Sequence, residues 1–140
     1  MITETVKKAL KENPYIIFPY GKINRRKLKT ELKKVNYKFP KELLNFWEEF
    51  GGGDLFEVET ILYPLESNDE LIDCLIPTNE FYHQQGLEKK YIVFEKNAAQ
   101  LTVFDVETNE IVQLSNGDYN VRQKFKNIKL WFVHFWHVNQ

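Results

Sequence analysis

The 140 residues, of which 43% are hydrophobic and 15% aromatic, are enough to bury the core of one domain, which excludes a wholly disordered chain. The net charge of −1 conceals three blocks: residues 1–41 carry twelve Lys/Arg and three Asp/Glu, residues 42–88 carry twelve Asp/Glu and no Lys/Arg, and residues 89–140 carry seven Lys/Arg and five Asp/Glu. Such unmixed blocks indicate a charged face that meets a partner, unless the first two blocks neutralise each other in the fold.

The amino-terminal third of the chain opens with two predicted helices. Ile2, Val6 and Leu10 recur every four residues, which predicts a short amphipathic helix closed by Pro14. Asn24 is a candidate N-cap for the second helix, because its side chain can accept a hydrogen bond from a free backbone N–H of the first turn. The inner side of this second helix would carry Leu28, Leu32 and Val35.

A third helix is predicted in the segment KELLNFWEEF. Pro40 suits its first turn, where the missing N–H of proline costs nothing. Gly51 stands where a left-handed helix end needs glycine, so at least one of the three consecutive glycines would stop this helix. The glycines do not match a phosphate-binding loop, because the Gly-Lys-Ser/Thr ending is missing and a helix precedes them. The buried stripe of this helix would consist of Leu43, Leu44, Trp47 and Phe50.

An alternating segment follows the glycines. The side chains of residues 55–63 alternate between two faces, with Glu57 and Glu59 on the same side, which predicts one strand with one solvent-exposed face. A further helix over residues 79–85 is predicted to begin after the cap Thr78.

The remaining segments complete an α+β fold. The β-branched and aromatic runs 91–95, 101–106 and 110–114 are joined by short turns, which predicts an antiparallel meander. The chain is therefore predicted to be one domain over residues 1–140, an antiparallel sheet of about four to five strands packed with amino-terminal helices and a closing carboxy-terminal helix. The stripe of that closing helix would be Val121, Phe125, Ile128, Phe132 and Phe135.

Few side chains point to catalysis or metal binding. Cys74 is the only cysteine, so no intramolecular disulfide is possible, which suits a reducing compartment and predicts a cytoplasmic protein. No apolar run approaches the ~20 residues of a membrane helix. His134 and His137 are three residues apart but lack a third ligand at a spacing typical of a metal site, so we expect no metal. No other set of side chains has a spacing that defines a catalytic site, so we expect no cofactor and no enzymatic activity.

The basic second helix offers an alternative function. Its Lys/Arg side chains could face phosphates, but no nucleic-acid-binding motif accompanies them, and a lysine-rich helix is most often a solvated face. The residues of this basic stripe are Lys22, Arg25, Arg26, Lys29, Lys33 and Lys34.

The carboxylates of the middle block are the strongest functional signal. Carboxylates held close together repel one another, and that cost falls when a cationic surface arrives, which favours fast, salt-sensitive association. Their spacing does not match a calcium-binding loop, and no pair is marked as a glycosidase pair. The predicted contact set is Asp54, Glu57, Glu59, Glu66, Asp69, Glu70 and Asp73, with Tyr63 as an aromatic anchor.

The segment FPKELLNFWEEFGGGDLFEV resembles the signature of the SUKH superfamily, in which a proline opens a helix with a buried apolar face and a glycine cluster leads into an apolar strand. TNEFYHQQGL is similar to the helix before the central strands of the family, YIVFEKNAAQLTVFDVETNEIVQL to its meander, and KFKNIKLWFVHF to its closing helix. The resemblance spans roughly residues 24–135. One departure is Asn97-Ala98-Ala99, where members often have an Asp/Gly-rich turn.

The resemblance implies that the chain is a member of a superfamily whose proteins are mostly not enzymes. Many of its bacterial members look like immunity proteins that neutralise a cognate toxin, often a nuclease, and others are scaffolds in fungal cell-wall regulation. A nuclease binds polyanions with a basic groove, which an acidic face would fit. We therefore expect a cytoplasmic immunity protein that binds a basic toxin; the alternatives are a regulatory protein-binding module without a toxin and a nucleic-acid binder.

Overall fold

The structure is a computed structural model that describes residues 2–139. Within this range the chain forms five helices and six strands, which confirms the α+β class and adds strands to the predicted sheet. Every pair of neighbouring strands is antiparallel, and their spatial order follows the chain order. In chain order the elements are α1 (Ile2–Leu10), α2 (Arg25–Lys34), α3 (Lys41–Phe50), β1 (Gly53–Leu55), β2 (Glu59–Ile61), α4 (Leu75–Gln84), β3 (Tyr91–Lys96), β4 (Gln100–Asp105), β5 (Ile111–Ser115), β6 (Val121–Phe125) and α5 (Ile128–Asn139).

The predicted start of α2 and the predicted end of α3 are confirmed. The Asn24 side chain accepts hydrogen bonds from the N–H groups of Arg26 and Lys27, at 2.9 and 3.3 Å. Pro40 lies at the N-cap of α3, one residue before the helix, and Gly51 ends it with φ 79°. These ends depend on residues adjacent in sequence, so they can be predicted without knowledge of the tertiary fold.

The predicted single strand over residues 55–63 is wrong, because β1 and β2 form a hairpin in this segment. Phe56 and Glu57 take φ values of 54° and 69°, and the Val58 N–H donates to the Phe56 carbonyl at 2.8 Å, so the chain reverses within three residues. The Phe56 ring packs on Phe135 and Trp136 of α5, and this tertiary contact holds a turn that contains neither glycine nor asparagine.

The predicted start of the closing helix is also wrong. Residues 121–125 form β6, an edge strand that pairs Phe125 with Ile111 of β5, and α5 begins only at Ile128. Val121 and Phe125 are four residues apart, a spacing that places two side chains on one face of a strand as well as on one face of a helix. The helical part of the stripe is confirmed, since Ile128, Phe132 and Phe135 are buried.

The fourth helix begins earlier than predicted. Cys74 occupies the N-cap position and α4 starts at Leu75, so Thr78 lies inside the first turns and does not cap the helix. Pro77 is compatible with this position because the first turn has no intrahelical partner for its missing N–H. The predicted end is confirmed, since Gly86 follows the helix with φ 102°.

Aromatic side chains connect the helices to the sheet. Trp47 of α3 is fully buried and makes an edge-to-face contact with Phe39, with the ring centroids 5.0 Å apart. Its indole N–H donates to the Leu62 carbonyl at 2.9 Å. On the same core, Phe94 of β3 meets Trp131 of α5 at 5.3 Å. These contacts fix α3 and α5 against the strands.

The extended segment before α2 docks on the outer edge of the hairpin. Ile17 and Asp54 exchange two backbone hydrogen bonds, each of 2.8 Å. A Cβ atom at Gly53 would lie 2.1 Å from the Ile17 carbonyl oxygen, so this close approach requires glycine. The third glycine of the cluster therefore serves a backbone contact rather than a ligand. Within residues 2–139, no helix combines the length and apolar character that crossing a bilayer demands.

Candidate functional site

Five of the eight predicted contact residues lie around two adjacent clefts. The larger, of about 400 Å³, is lined by Asp69, Glu70 and Asp73 together with Phe81. The smaller, of about 50 Å³, is lined by Asp54 and Tyr63 of the predicted set. Ile72 and Asp73 line both clefts, so they form one continuous surface. We call it the acidic–aromatic face and define it as Ile17, Tyr20, Asp54, Tyr63, Asp69, Glu70, Leu71, Asp73 and Phe81.

Hydrogen bonds hold the loop that carries most of these acids. Asp69 Oδ1 accepts the Leu71 N–H at 2.9 Å, and the Asp69 N–H donates to Ser67 Oγ at 3.1 Å. The hydroxyl groups of Ser67 and Tyr20 are hydrogen-bonded at 2.6 Å. At the end of the loop, the Tyr63 N–H donates to the Asp73 carbonyl at 2.9 Å. The loop is therefore positioned before any partner arrives, which lowers the entropy that binding costs.

The acids of the face differ in how far they are neutralised. Asp73 lies 3.6 Å from Lys96, and Asp54 accepts a hydrogen bond from Thr60 Oγ1 at 3.0 Å. Asp69 and Glu70 are exposed, and no residue between 2 and 139 forms an ion pair with them. Asp54 has no ion-pair partner among these residues either, so Asp54, Asp69 and Glu70 together give the face its uncompensated negative charge.

Apolar side chains stand beside the exposed acids. Leu71 is 90% exposed, and Phe81 is 56% exposed, although both are large hydrophobic residues. The rings of Tyr20 and Tyr63 are 4.7 Å apart, and burial raises the pKa of the Tyr63 hydroxyl, so it stays a neutral hydrogen-bonding group. Exposed apolar residues grouped within a polar rim are typical of protein interaction sites.

Glu57 does not share a surface with Glu59, contrary to the predicted strand face. Glu57 is exposed at the hairpin turn and lines a separate cleft of about 410 Å³ with Tyr15 and Trp136. That cleft has no lining residue in common with the acidic–aromatic face. Glu66 is exposed in the loop that precedes Ser67.

Glu59 is only 7% exposed and belongs to a buried carboxyl pair that the sequence analysis missed. Its partner, Glu95 of β3, is 1% exposed and accepts a hydrogen bond from Thr102 Oγ1 at 2.5 Å. Asn97 donates to Glu59 Oε1 at 2.9 Å. Burial is the main cause that raises the pKa of Glu95 well above its usual range, and Glu59 raises it further. The sequence signal was present, since both acids stand within apolar strand segments.

Other acids of the middle block are neutralised by basic residues from elsewhere. Glu48 lies 2.6 Å from Arg25, and Glu49 lies 3.5 Å from Lys7 of α1. Glu42 of α3 lies 3.6 Å from Lys129. Both interpretations of the charge blocks therefore apply in part: the acids of α3 are compensated, whereas Asp69 and Glu70 of the loop are not.

His134 and Cys74 pack against neighbouring residues, whereas His137 is exposed. His134 lies against the Phe125 ring at 5.2 Å. Cys74 is buried, and burial raises the pKa of its thiol, which disfavours the reactive thiolate. Among residues 2–139 no group of three or more His, Cys, Asp or Glu side chains is arranged to hold a metal ion.

Comparison with protein families gives one match over nearly the whole chain. A family model described as SUKH_5, SMI1-KNR4 cell-wall, matches residues 2–137. No curated protein matches the chain.

Proposed function

The chain belongs to the SMI1-KNR4 cell-wall family, and from this membership we propose that it is a non-enzymatic immunity protein of the cytoplasm. Its partner would be a cognate toxin with a basic surface, such as a nuclease domain. The chain would neutralise the toxin by covering its active site or an adjacent surface with the acidic–aromatic face.

The observation that carries this proposal is the pairing of exposed apolar anchors with unpaired acids. Leu71 projects into solvent next to Glu70 and Asp69, which have no cationic partner among residues 2–139. Such a surface suits a partner with lysine or arginine around an apolar pocket: the charges speed the encounter, and the buried anchors supply most of the affinity.

The two alternatives differ in the surface that they would use. A regulatory module without a toxin would use the same face, so only the identity of the partner separates it from an immunity protein. A nucleic-acid binder would use α2, but Arg25 is held by Glu48 at 2.6 Å and Lys34 by Glu31 at 2.7 Å. These ion pairs reduce the free positive charge of that helix.

Growth rescue tests the function. The toxin domain encoded beside the gene for this chain would be expressed in bacteria with and without the chain. We expect growth only when both are expressed, and the two purified proteins should form a complex. A toxic domain that kills equally in the presence of the chain would contradict the immunity function.

A matched pair of variants tests the face. Leu71→Ala should weaken the complex by about tenfold or more, because a central anchor is worth roughly 1.4 kcal/mol or more. Leu130→Ala is the control, since Leu130 of α5 is also exposed but lines neither cleft. Affinities would be measured by isothermal titration calorimetry. Equal affinities for the two variants would remove Leu71 from the interface.

A further inference from the structure

A second concave surface, away from the acidic–aromatic face, has the opposite charge. It is a groove of about 700 Å³ that shares no lining residue with the two clefts of the face. The segment before α3, the end of α4, the strands β3 and β4, and the start of α5 form its walls. We call it the cationic groove and define it by Tyr37, Lys38, Phe39, Lys89, Phe104 and Val106.

The floor of the groove is apolar and rigid. Phe39 packs against Trp47 at 5.0 Å and against Phe104 at 6.0 Å, so its ring is fixed from below by the core. Val106, just after β4, is 43% exposed and lines the groove. A volume of this size lies in the range of about 300–1,000 Å³ that is usual for small-molecule sites, which are mostly apolar with a few convergent polar groups.

The rim of the groove carries positive charge without compensation. Lys38 and Lys89 are exposed, and neither forms an ion pair with any residue between 2 and 139. No Asp or Glu is among the lining residues. Asn127 and Ile128, at the amino-terminal end of α5, also line the groove, and this end of a helix favours negative charge.

Two polar side chains of the lining have defined hydrogen-bonding states. His83 Nε2 lies 2.8 Å from the Tyr91 carbonyl oxygen, which can only accept, so this nitrogen carries the proton. Burial raises the pKa of the Tyr37 hydroxyl, with a smaller contribution from Glu80, so Tyr37 keeps its proton and can donate it. Glu80 does not line the groove.

We propose that the cationic groove binds a small amphipathic anion. The apolar body of the ligand would lie on the floor made by Phe39 and Phe104, and its anionic group would be held by Lys38 and Lys89. Charge complementarity selects an anion, and the apolar floor excludes a simple inorganic one as the main ligand. This site is independent of the proposed immunity function, since the two surfaces do not overlap.

The test uses a fluorescent probe of this chemistry, 8-anilino-1-naphthalenesulfonate, with the uncharged N-phenyl-1-naphthylamine as its comparison. Fluorescence titration of the full chain should show one saturable site for the sulfonate probe. The double variant Lys38→Gln/Lys89→Gln should weaken sulfonate binding by about tenfold or more, because two charge-assisted contacts are lost. Binding of the uncharged probe should stay the same.

Two controls make the test decisive. Lys11→Gln/Lys124→Gln removes the same charge from exposed positions outside the groove and should leave both probes unaffected. Val106→Glu places a carboxylate on the apolar floor and should abolish sulfonate binding while thermal unfolding remains cooperative. Sulfonate binding that is unchanged in the lysine double variant, or reduced equally by both double variants, would overturn the proposal.

Discussion

Glu95 lies beside Glu59 in the sheet, and two carboxyl groups that are both buried cannot both be charged at low cost. One of them must hold a proton, and the fully buried Glu95 is the group whose pKa is raised well above its usual range. The pair therefore makes the stability of the fold depend on pH. It also means that a substitution at Glu59 changes the interior before it changes any partner surface.

The first prediction concerns Glu95→Gln. A raised pKa in the folded state contributes stability that is complete below the unfolded-state value of about 4.5 and is lost as the pH rises through the folded-state value. The amide of the variant side chain does not ionise, so the variant does not lose this stability as the pH rises. The variant should therefore match the wild type in acid and become progressively more stable than it as the pH rises above about 4.5.

Urea unfolding at a series of pH values measures this difference. Glu107→Gln is the control, because Glu107 is exposed after β4 and should give a small difference at every pH. A stability gain for Glu95→Gln that stays constant with pH, or a loss that grows with pH, would show that the buried pair does not behave as described.

Asn79 joins α4 to β3 of the sheet by side-chain hydrogen bonds. Its side chain is fully buried, donates to the carbonyls of Leu75 and Val93 at 2.9 Å each, and accepts the Val93 N–H at 2.7 Å. The amide thus takes the place that another strand would occupy beside Val93. No other natural side chain of this length offers both a donor and an acceptor at these positions.

Asn79→Ala should lower the free energy of unfolding by about 2–6 kcal/mol, because two buried backbone groups of Val93 lose their partners at about 1–3 kcal/mol each. Gln84→Ala, an exposed amide on the same helix, is the matched control. Chemical denaturation would measure both variants. If they differ by less than about 0.5 kcal/mol, the amide does not anchor the helix.

Gly53→Ala tests the docking of the amino-terminal segment on β1. The added Cβ would meet the Ile17 carbonyl oxygen at 2.1 Å, so the two backbone hydrogen bonds between Ile17 and Asp54 must shift. Gly117→Ala also introduces a side chain at positive φ but meets open space. The Gly53 variant should be less stable than the Gly117 variant by about 1–3 kcal/mol in thermal or urea unfolding. Equal stabilities of the two variants would show that the segment before α2 can move away from β1 without loss of stability.

Elements with local signals could be predicted from the sequence, and those decided by tertiary contacts could not. Asn24 and Gly51 mark their helix ends correctly because a cap depends on the neighbouring residues. The turn at Phe56 and Glu57 has no turn residue and depends on ring contacts with α5, far away in the chain. Val121 fits a strand and a helix equally, and only pairing with β5 decides between them.

The same division applies to the candidate site. The sequence analysis included Asp69, Glu70 and Asp73 in one predicted contact set, and in the structure all three line one cleft. The sequence pattern did not reveal that Tyr20 and Phe81, which come from distant segments of the chain, lie beside these acids. A partner surface is assembled by the fold, so a block of charge in sequence indicates only part of it.

At the scale of the whole molecule, opposite charges are separated onto two surfaces. The acidic–aromatic face carries the free acids of the loop, while the cationic groove carries Lys38 and Lys89 and no carboxylate. This arrangement would orient an approaching basic partner toward the face, and the nearly neutral total charge hides it. The account therefore depends most on whether the loop acids attract such a partner.

The most direct test uses the proposed partner, a toxin domain encoded beside the gene for this chain. The association rate of the two proteins would be measured by stopped-flow fluorescence from ~0.01 M to ~1 M salt, over which the Debye length falls from ~30 Å to ~3 Å. Asp69→Asn/Glu70→Lys changes the charge at these two positions from −2 to +1, while the amide oxygen introduced in place of Asp69 Oδ1 can still accept the Leu71 N–H. Glu107→Lys/Glu110→Gln changes the net charge equally at the Tyr91 end of β3, opposite the Lys96 end that meets Asp73. We predict that the loop variant associates about tenfold more slowly at low salt and loses most of its salt dependence, whereas the control variant keeps it. Equal rates and equal salt dependence in the two variants would contradict the central claim that the acidic–aromatic face receives a cationic partner.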